Sequence, residues 1–299
     1  MCIRDRFIIL VLRKYKLQKY IHLLRLHQPN GFMLLMLPCF WGIFAAFSSF
    51  KDIHNNLLTI ILFAIGSVVM RSAGCVINDI FDKDLDKHVS RTSKRPLASG
   101  AISTIEAITI FCLLCLVGLA ILLSLNKTAI IVGFISFFLF ILYPLMKRIT
   151  YWPQLFLGLT FNIGVIIGYV SINGNISLSI FFLYLAGIFW TLGYDTIYAH
   201  QDREDDLRIG IKSTAILFGD NSKLWISAFY SLMIICLLIF GQLSEFEYLY
   251  YAAVVLVGIH LLFQLFKLDI YNSDVCLEIF KSNRYTGALI MFSLLLTLI

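Results

Sequence analysis

The chain has 299 residues, of which 60% are hydrophobic and 14% charged, with a formal net charge of +6 and a mean hydropathy of +0.86. A soluble domain carries about 25% charged residues, so the composition excludes an ordinary soluble protein and points to an integral membrane protein. The apolar runs are too long for strands and lack their alternation, which excludes a transmembrane β-barrel.

The first 24 residues form a basic segment. Its apolar run at 7–12 is shorter than the core of a signal peptide. A spanning helix needs roughly 20 mainly apolar residues. Nine stretches read as spans: 31–50, 56–77, 105–125, 128–146, 153–172, 177–199, 224–243, 248–266 and 284–299. Of the 24 lysines and arginines, only Lys51 and Lys127 fall on the side opposite to the rest. Basic residues stay cytoplasmic. The expectation is a multi-pass protein of a bacterial inner membrane, N-terminus cytoplasmic and C-terminus periplasmic. The positive charge then describes a rim facing anionic lipid headgroups, not a nucleic-acid surface. The seven cysteines form no framework. Cys112 and Cys115 make a CxxC inside a span, where they read as small apolar filler.

No linker divides the chain, so one membrane domain over 1–299 is expected, with long loops at 78–104 and 200–223. Both loops begin with acids at the end of a span. Nine of the 18 acids fall within 79–86 and 195–206. The first cluster is "CVINDIFDKDLDKHV", residues 75–89. Asn78, Asp82 and Asp86 are spaced i, i+4, i+8, which stacks them on one helical face. Like charges so placed repel, and a divalent cation would satisfy them. Mg²⁺ takes oxygen ligands, typically one or two carboxylates plus substrate phosphates. The second cluster is "YDTIYAHQDREDDLRIG", residues 194–210, with Asp195, Asp202 and Asp206 spaced i, i+7, i+11. Two acidic helices facing each other would hold two or three Mg²⁺ around a diphosphate.

Cations follow the acids: Arg91, Lys94 and Arg95, then Lys147 and Arg148, then Arg208 and Lys212. They suit a diphosphate leaving group, although the basic side of a membrane protein explains any one of them as well. Arg25 and Arg71 lie near the membrane face and are candidates for an acceptor carboxylate; snorkelling to headgroups accounts for them equally. The histidines show no metal spacing, and no P-loop, GxSxG, HExxH or dinucleotide fingerprint occurs.

At these residues the chain resembles the UbiA superfamily of intramembrane prenyltransferases. The signature NDxxDxxxD is matched by Asn78, Asp79, Asp82 and Asp86, and DxxYAxxDxxxD by Asp195, Tyr198, Ala199, Asp202 and Asp206. The flanks "RSAGCVINDIFDKDLDKHVSRTSKRPLASG" and "DREDDLRIGIKSTAILFG" are similar to those of the subgroup acting on 4-hydroxybenzoate. The resemblance implies an all-α protein with nine helices around a central cavity and a cytoplasmic cap formed by the acidic loops. It implies Mg²⁺, an allylic polyprenyl diphosphate and prenylation ortho to the hydroxyl of 4-hydroxybenzoate, as in ubiquinone biosynthesis. By motif position it implies Asn78, Asp82, Asp202 and Asp206 as metal ligands, with Asp86 in support. Asp79 and Asp195 would orient substrate or a cation. "QPNG" at 28–31 departs from the Pro-Ile-Gly common in that subgroup. Other readings weighed are a different aromatic acceptor, an ion-coupled transporter and a lipid phosphotransferase. A transporter needs acids near the bilayer midplane, whereas these sit at span ends.

Overall fold

The computed structural model describes residues 17–89 and 91–299. Most of the basic N-terminal segment, with the apolar run at 7–12, lies outside the described residues. Among the described residues, nine long helices form the body: α1 (Pro29–Ala45), α2 (Leu57–Asp86), α3 (Thr104–Leu123), α4 (Lys127–Ile149), α5 (Pro153–Asn173), α6 (Leu178–Ala199), α7 (Ser222–Leu243), α8 (Tyr248–Lys267) and α9 (Ser273–Leu296). Their starts follow local chemistry. Ser103, Asn126, Ser177 and Asn272 accept backbone N–H groups at the first turns of α3, α4, α6 and α9. Pro29 and Pro153 occupy first helical positions, where no N–H is missed.

The predicted count of nine spans is not borne out by length and composition. Among the described residues, seven helices are long and apolar enough to cross a membrane. The first is a shorter apolar helix of 17 residues. The last begins at Ser273 rather than 284, and carries Asp274, Glu278, Lys281 and Arg284 before its apolar part. The expected loops are also partly helical. Residues 78–86 complete α2, and 200–223 contain the short helices Arg203–Ile209 and Thr214–Phe218.

Helix α1 is the hub, packing on α2, α5 and α9. Apolar attraction is weak between helices in lipid, so close backbone approach takes its place. A Cβ on Gly42 would lie 1.9 Å from the Val165 carbonyl oxygen, and one on Gly168 would lie 2.4 Å from that of Cys39. Buried hydrogen bonds add direction. Trp41 Nε1 donates to the Gly287 carbonyl (2.9 Å), Trp190 Nε1 to Asn283 Oδ1 (2.8 Å) and Asn162 Nδ2 to Thr191 Oγ1 (2.8 Å). Outward, α3 and α4 expose Leu113, Val117, Ile135 and Phe138 as a lipid-facing surface.

Helices α3 and α4 touch each other little. A cavity of about 600 Å³ remains among α1–α5, apolar along most of its length, with Arg71, Tyr143 and Thr160 among its few polar side chains. Cys112 and Cys115 line it from α3.

Gly42→Ala should lower the melting temperature of the detergent-purified protein, since overpacking costs roughly 1–3 kcal/mol. Gly258→Ala, with nothing within 4 Å of the added methyl, should hold or raise it. Equal melting curves would remove the α1–α5 contact as the basis of packing.

Candidate functional site

The last two turns of α2 carry the first acidic cluster. Asn78 Nδ2 donates to Asp82 Oδ2 at 2.9 Å, as the i, i+4 spacing predicts. The side chains of Asp79 and Asp82 are each only 1% exposed. A buried carboxylate needs a paired cation, and each finds one from another segment. Lys147, at the end of α4, donates to Asp82 Oδ2, and Arg148 lies 3.7 Å from its Oδ1. Arg25 makes two hydrogen bonds to Asp79, at 2.9 and 3.0 Å. Arg95 bridges Asp79 (3.3 Å) and Asp86 (2.9 Å). Asp82 and Asp86 thus share a helical face without sharing a cation.

The second cluster does not remain on one helix. After Ala199 the backbone tightens into a 3₁₀ turn, His200–Asp202, before the helix Arg203–Ile209. The tighter turn rotates Asp202 and Asp206 relative to Asp195. Asp202 is held by Arg91, whose Nε donates at 2.8 Å and whose Nη2 also bonds it. Arg91 also donates to Tyr198 Oη (3.2 Å), so a residue of the first loop reaches the second motif. Burial opposes the charge on Arg91, but hydrogen bonds and attraction to Asp202 and Tyr198 together outweigh it and hold the guanidinium pKa above its ordinary range. Asp206 lies within electrostatic reach of Asp202, Lys147 and Arg91. Lys147 therefore stands where the two clusters meet.

Asp195 is separate. It makes no hydrogen bond among the described residues, and its charged neighbour is Arg71. Arg71 projects from α2 to the polar part of the large cavity. Its Nε is buried without a hydrogen-bond partner among the described residues, and Phe161 faces the guanidinium at 5.6 Å. Tyr143 joins this group, within electrostatic reach of Arg71, Asp82 and Asp195. Attention to charges alone passed over Tyr143. It precedes Lys147 by one helical turn, and that spacing was the available signal.

The remaining predicted cations separate. Lys94 is exposed and makes no ion pair among the described residues. Lys212 turns away from the acids: its Nζ donates to the Ile149 carbonyl at 3.0 Å and its backbone N–H to that of Lys147 at 2.9 Å. It braces the end of α4. Arg208 pairs with Asp205 on the surface. Arg25 has a left-handed backbone (φ +53°), a conformation uncommon outside glycine, and its pair of hydrogen bonds to Asp79 holds it there. Of the two arginines considered for a carboxylate, Arg25 is committed to Asp79 and Arg71 is not.

The chain matches the model of the UbiA prenyltransferase family over residues 35–296. It belongs to that family. It is 46% identical to the mitochondrial 4-hydroxybenzoate polyprenyltransferase of Homo sapiens, over 94% of this chain and 75% of that protein. Its fold is similar to that of a UbiA homolog from Aeropyrum pernix K1, with a TM-score of 0.76 at 23% identity over 89% of this chain and 98% of the other. It is also similar to a UbiA homolog from Archaeoglobus fulgidus bound to GPP and Mg²⁺, with a TM-score of 0.72 at 19% identity over 94% and 99%. The multi-pass UbiA architecture stands, but the expected bacterial inner membrane with a periplasmic C-terminus does not. The matched relatives from insects, mammals and a plant are mitochondrial proteins. Charge asymmetry distinguishes the two faces of a membrane protein, and does not say which membrane holds it.

Arg95→Ala should leave Asp86 and part of Asp79 unpaired, a loss of roughly 3–5 kcal/mol for a buried pair. Hydrogen exchange over 91–100 should quicken and the melting temperature fall, with Arg95→Lys intermediate. Lys94→Ala should change neither, and equal exchange in the two alanine variants would refute the bridging role.

Proposed function

We propose that the clustered acids and cations bind the metal–diphosphate head of an allylic polyprenyl diphosphate, while the large cavity receives the start of its prenyl chain. The protein is an Mg²⁺-dependent prenyltransferase that joins the prenyl carbon to the ring carbon ortho to the hydroxyl of 4-hydroxybenzoate, the ubiquinone-forming reaction. The observation that carries the reading is the meeting of both motifs around Lys147, next to an apolar cavity with Arg71 and Tyr143 among its lining. Homologues 44–46% identical are named for this activity. The whole chain acts as one domain, with 78–104 and 200–223 as its cap.

The donor set fits a hard divalent ion. Among the described residues Asp82 Oδ1 is buried and accepts no hydrogen bond, and the motif offers only oxygen ligands from Asn78, Asp82, Asp202 and Asp206, with Asp86 in support through Arg95. Among the described residues no three His, Cys, Asp or Glu side chains converge on one point, so substrate phosphate oxygens would be needed beside these residues to hold Mg²⁺. When bound, Mg²⁺ neutralises charge developing on the diphosphate. Lys147, Arg148 and Arg91 face the same oxygens, and Lys94 and Arg95 lie on the loop that closes over them. Lys212 serves through the position of Lys147.

Arg71 pairs with the acceptor carboxylate and orients the phenol. As the prenyl C–O bond breaks, the ortho carbon attacks the allylic carbon, and the ring then loses a proton. Asp195, which lies beside Arg71 and has no hydrogen-bond partner among the described residues, takes that proton. Asp79 acts at one remove, holding Arg25 and Arg95. The apolar walls exclude water, which would otherwise capture the allylic cation.

Asp82→Asn and Asp202→Asn should each cut turnover by several orders of magnitude, since metal stabilisation of a leaving group is worth several kcal/mol. Residual activity should need more Mg²⁺, and Asp269→Asn should behave as the parent. Near-normal rates in both variants at low Mg²⁺ would remove the metal–diphosphate reading. The acceptor assignment is tested by steady-state kinetics. Arg71→Ala should raise the acceptor KM about ten- to a hundredfold, the loss of a charged hydrogen bond worth roughly 1.5–3 kcal/mol. The diphosphate KM should hold, and an unchanged acceptor KM would reject Arg71.

A further inference from the structure

Gly31 stands in the first turn of α1, where glycine is a poor helix former and needs a reason. Its φ is not positive, so the backbone conformation does not demand glycine. The neighbouring space does. A Cβ on Gly31 would lie 2.8 Å from the Arg71 Nε, 3.1 Å from its Nη2 and 3.3 Å from its Cζ. Among the described residues, the three nearest atoms outside the local backbone thus all belong to one guanidinium. Real Cβ atoms do not sit within 3.0 Å of such a neighbour, so a side chain here would force one partner to give way. Arg71 is that partner. Helix α1 is clamped to α5 by the contacts of Gly42 and Gly168, whereas the guanidinium ends a flexible side chain whose Nε has no hydrogen-bond partner among the described residues. Arg71 also lies at a boundary. It lines the large cavity and, with Gly31, Arg25 and Ser72, a second cavity of about 20 Å³ beside the approach to α1. Any displacement of the guanidinium therefore changes how far its N–H groups reach into the large cavity.

We propose that Gly31 is a positioning residue for the acceptor: its missing side chain lets the Arg71 guanidinium seat against α1, at the depth from which it meets the acceptor carboxylate. This rests on the pairing of Arg71 with that carboxylate. With alanine at position 31, the guanidinium must retreat until the contact reaches the ordinary 3.4–4 Å. Charge-assisted hydrogen bonds to a carboxylate are short and directional, and misplacement by about 1 Å costs up to about a hundredfold in a site built for one geometry. The glycine therefore acts through Arg71 and touches no substrate itself.

The test uses the full-length protein in detergent or membranes, with 4-hydroxybenzoate and a polyprenyl diphosphate as substrates, and benzoate as a competitive inhibitor that carries the carboxylate alone. Gly31→Ala should raise the acceptor KM and the benzoate Ki together, by roughly tenfold, and leave the diphosphate KM unchanged. Arg71→Ala removes the atoms that the methyl would meet. In that background Gly31→Ala should move neither constant further, because two changes acting on one contact are not additive. Gly258→Ala, whose methyl has nothing within 4 Å, should match the parent in every constant. The melting temperature of Gly31→Ala should hold, since alanine favours the helix and only the end of a side chain is displaced. If it falls, adding Arg71→Ala should restore it, and a fall that persists in the double variant overturns the proposal. An unchanged acceptor KM and benzoate Ki in Gly31→Ala, while Arg71→Ala raises both, also overturns it. So does a rise of the same size with and without the Arg71 guanidinium, which would mean packing and not the placement of that group. If Arg71→Ala itself leaves the acceptor KM and benzoate Ki unchanged, the failure is a different one: the carboxylate reading of Arg71 falls, and the role of Gly31 with it.

Discussion

The structure depends on the need to compensate carboxylates buried at the ends of membrane helices. Asp79 and Asp82 are almost wholly withdrawn from solvent, and an ionised group there is tolerated only when paired. The compensating cations come from three places in the chain: Arg25 before α1, Arg91 and Arg95 in the loop after α2, and Lys147 at the end of α4. Satisfying the acids therefore assembles the cap. The same contacts fix the N-terminal approach, the first loop and the α4 end relative to one another.

That requirement also separates the two parts of the interior. Charge is concentrated at one end, where segments can supply counter-ions. Below it the walls among α1–α5 are apolar, and the helices of the other half close on each other through hydrogen bonds such as Trp190–Asn283 and Tyr230–Gln264. Arg71, Tyr143 and Asp195 occupy the boundary. Among the described residues the buried Arg71 Nε has no hydrogen-bond partner, and an orienting site for a small polar acceptor requires such an open donor, since a saturated network would have nothing to offer a ligand.

Much of this was legible in the sequence, for identifiable reasons. Long apolar runs locate α2 to α8, because a bilayer of fixed thickness admits few alternatives. The i, i+4 spacing of Asn78 and Asp82 gave their contact, since helical geometry is local. The ends of the bundle were less readable. The start of α9 was missed because Asp274, Glu278, Lys281 and Arg284 interrupt its hydropathy while leaving its helical backbone intact. The break after Ala199 was missed because a 3₁₀ turn has no distinct composition.

By itself the sequence determined a polytopic helical membrane protein with two acidic motifs of the UbiA type, because composition, period and motif spacing are properties of neighbouring residues. Only the tertiary structure decided which cation serves which acid. It sent Lys212 to brace α4 and Lys147 to the junction of the clusters, committed Arg25 to Asp79, and left the Arg71 Nε without a partner among the described residues. Those outcomes rest on pairings across tens to more than a hundred residues, between segments of similar charge. Local patterns are the same for each of the candidates. The choice among them is made by distance and desolvation, which exist only once the helices have packed.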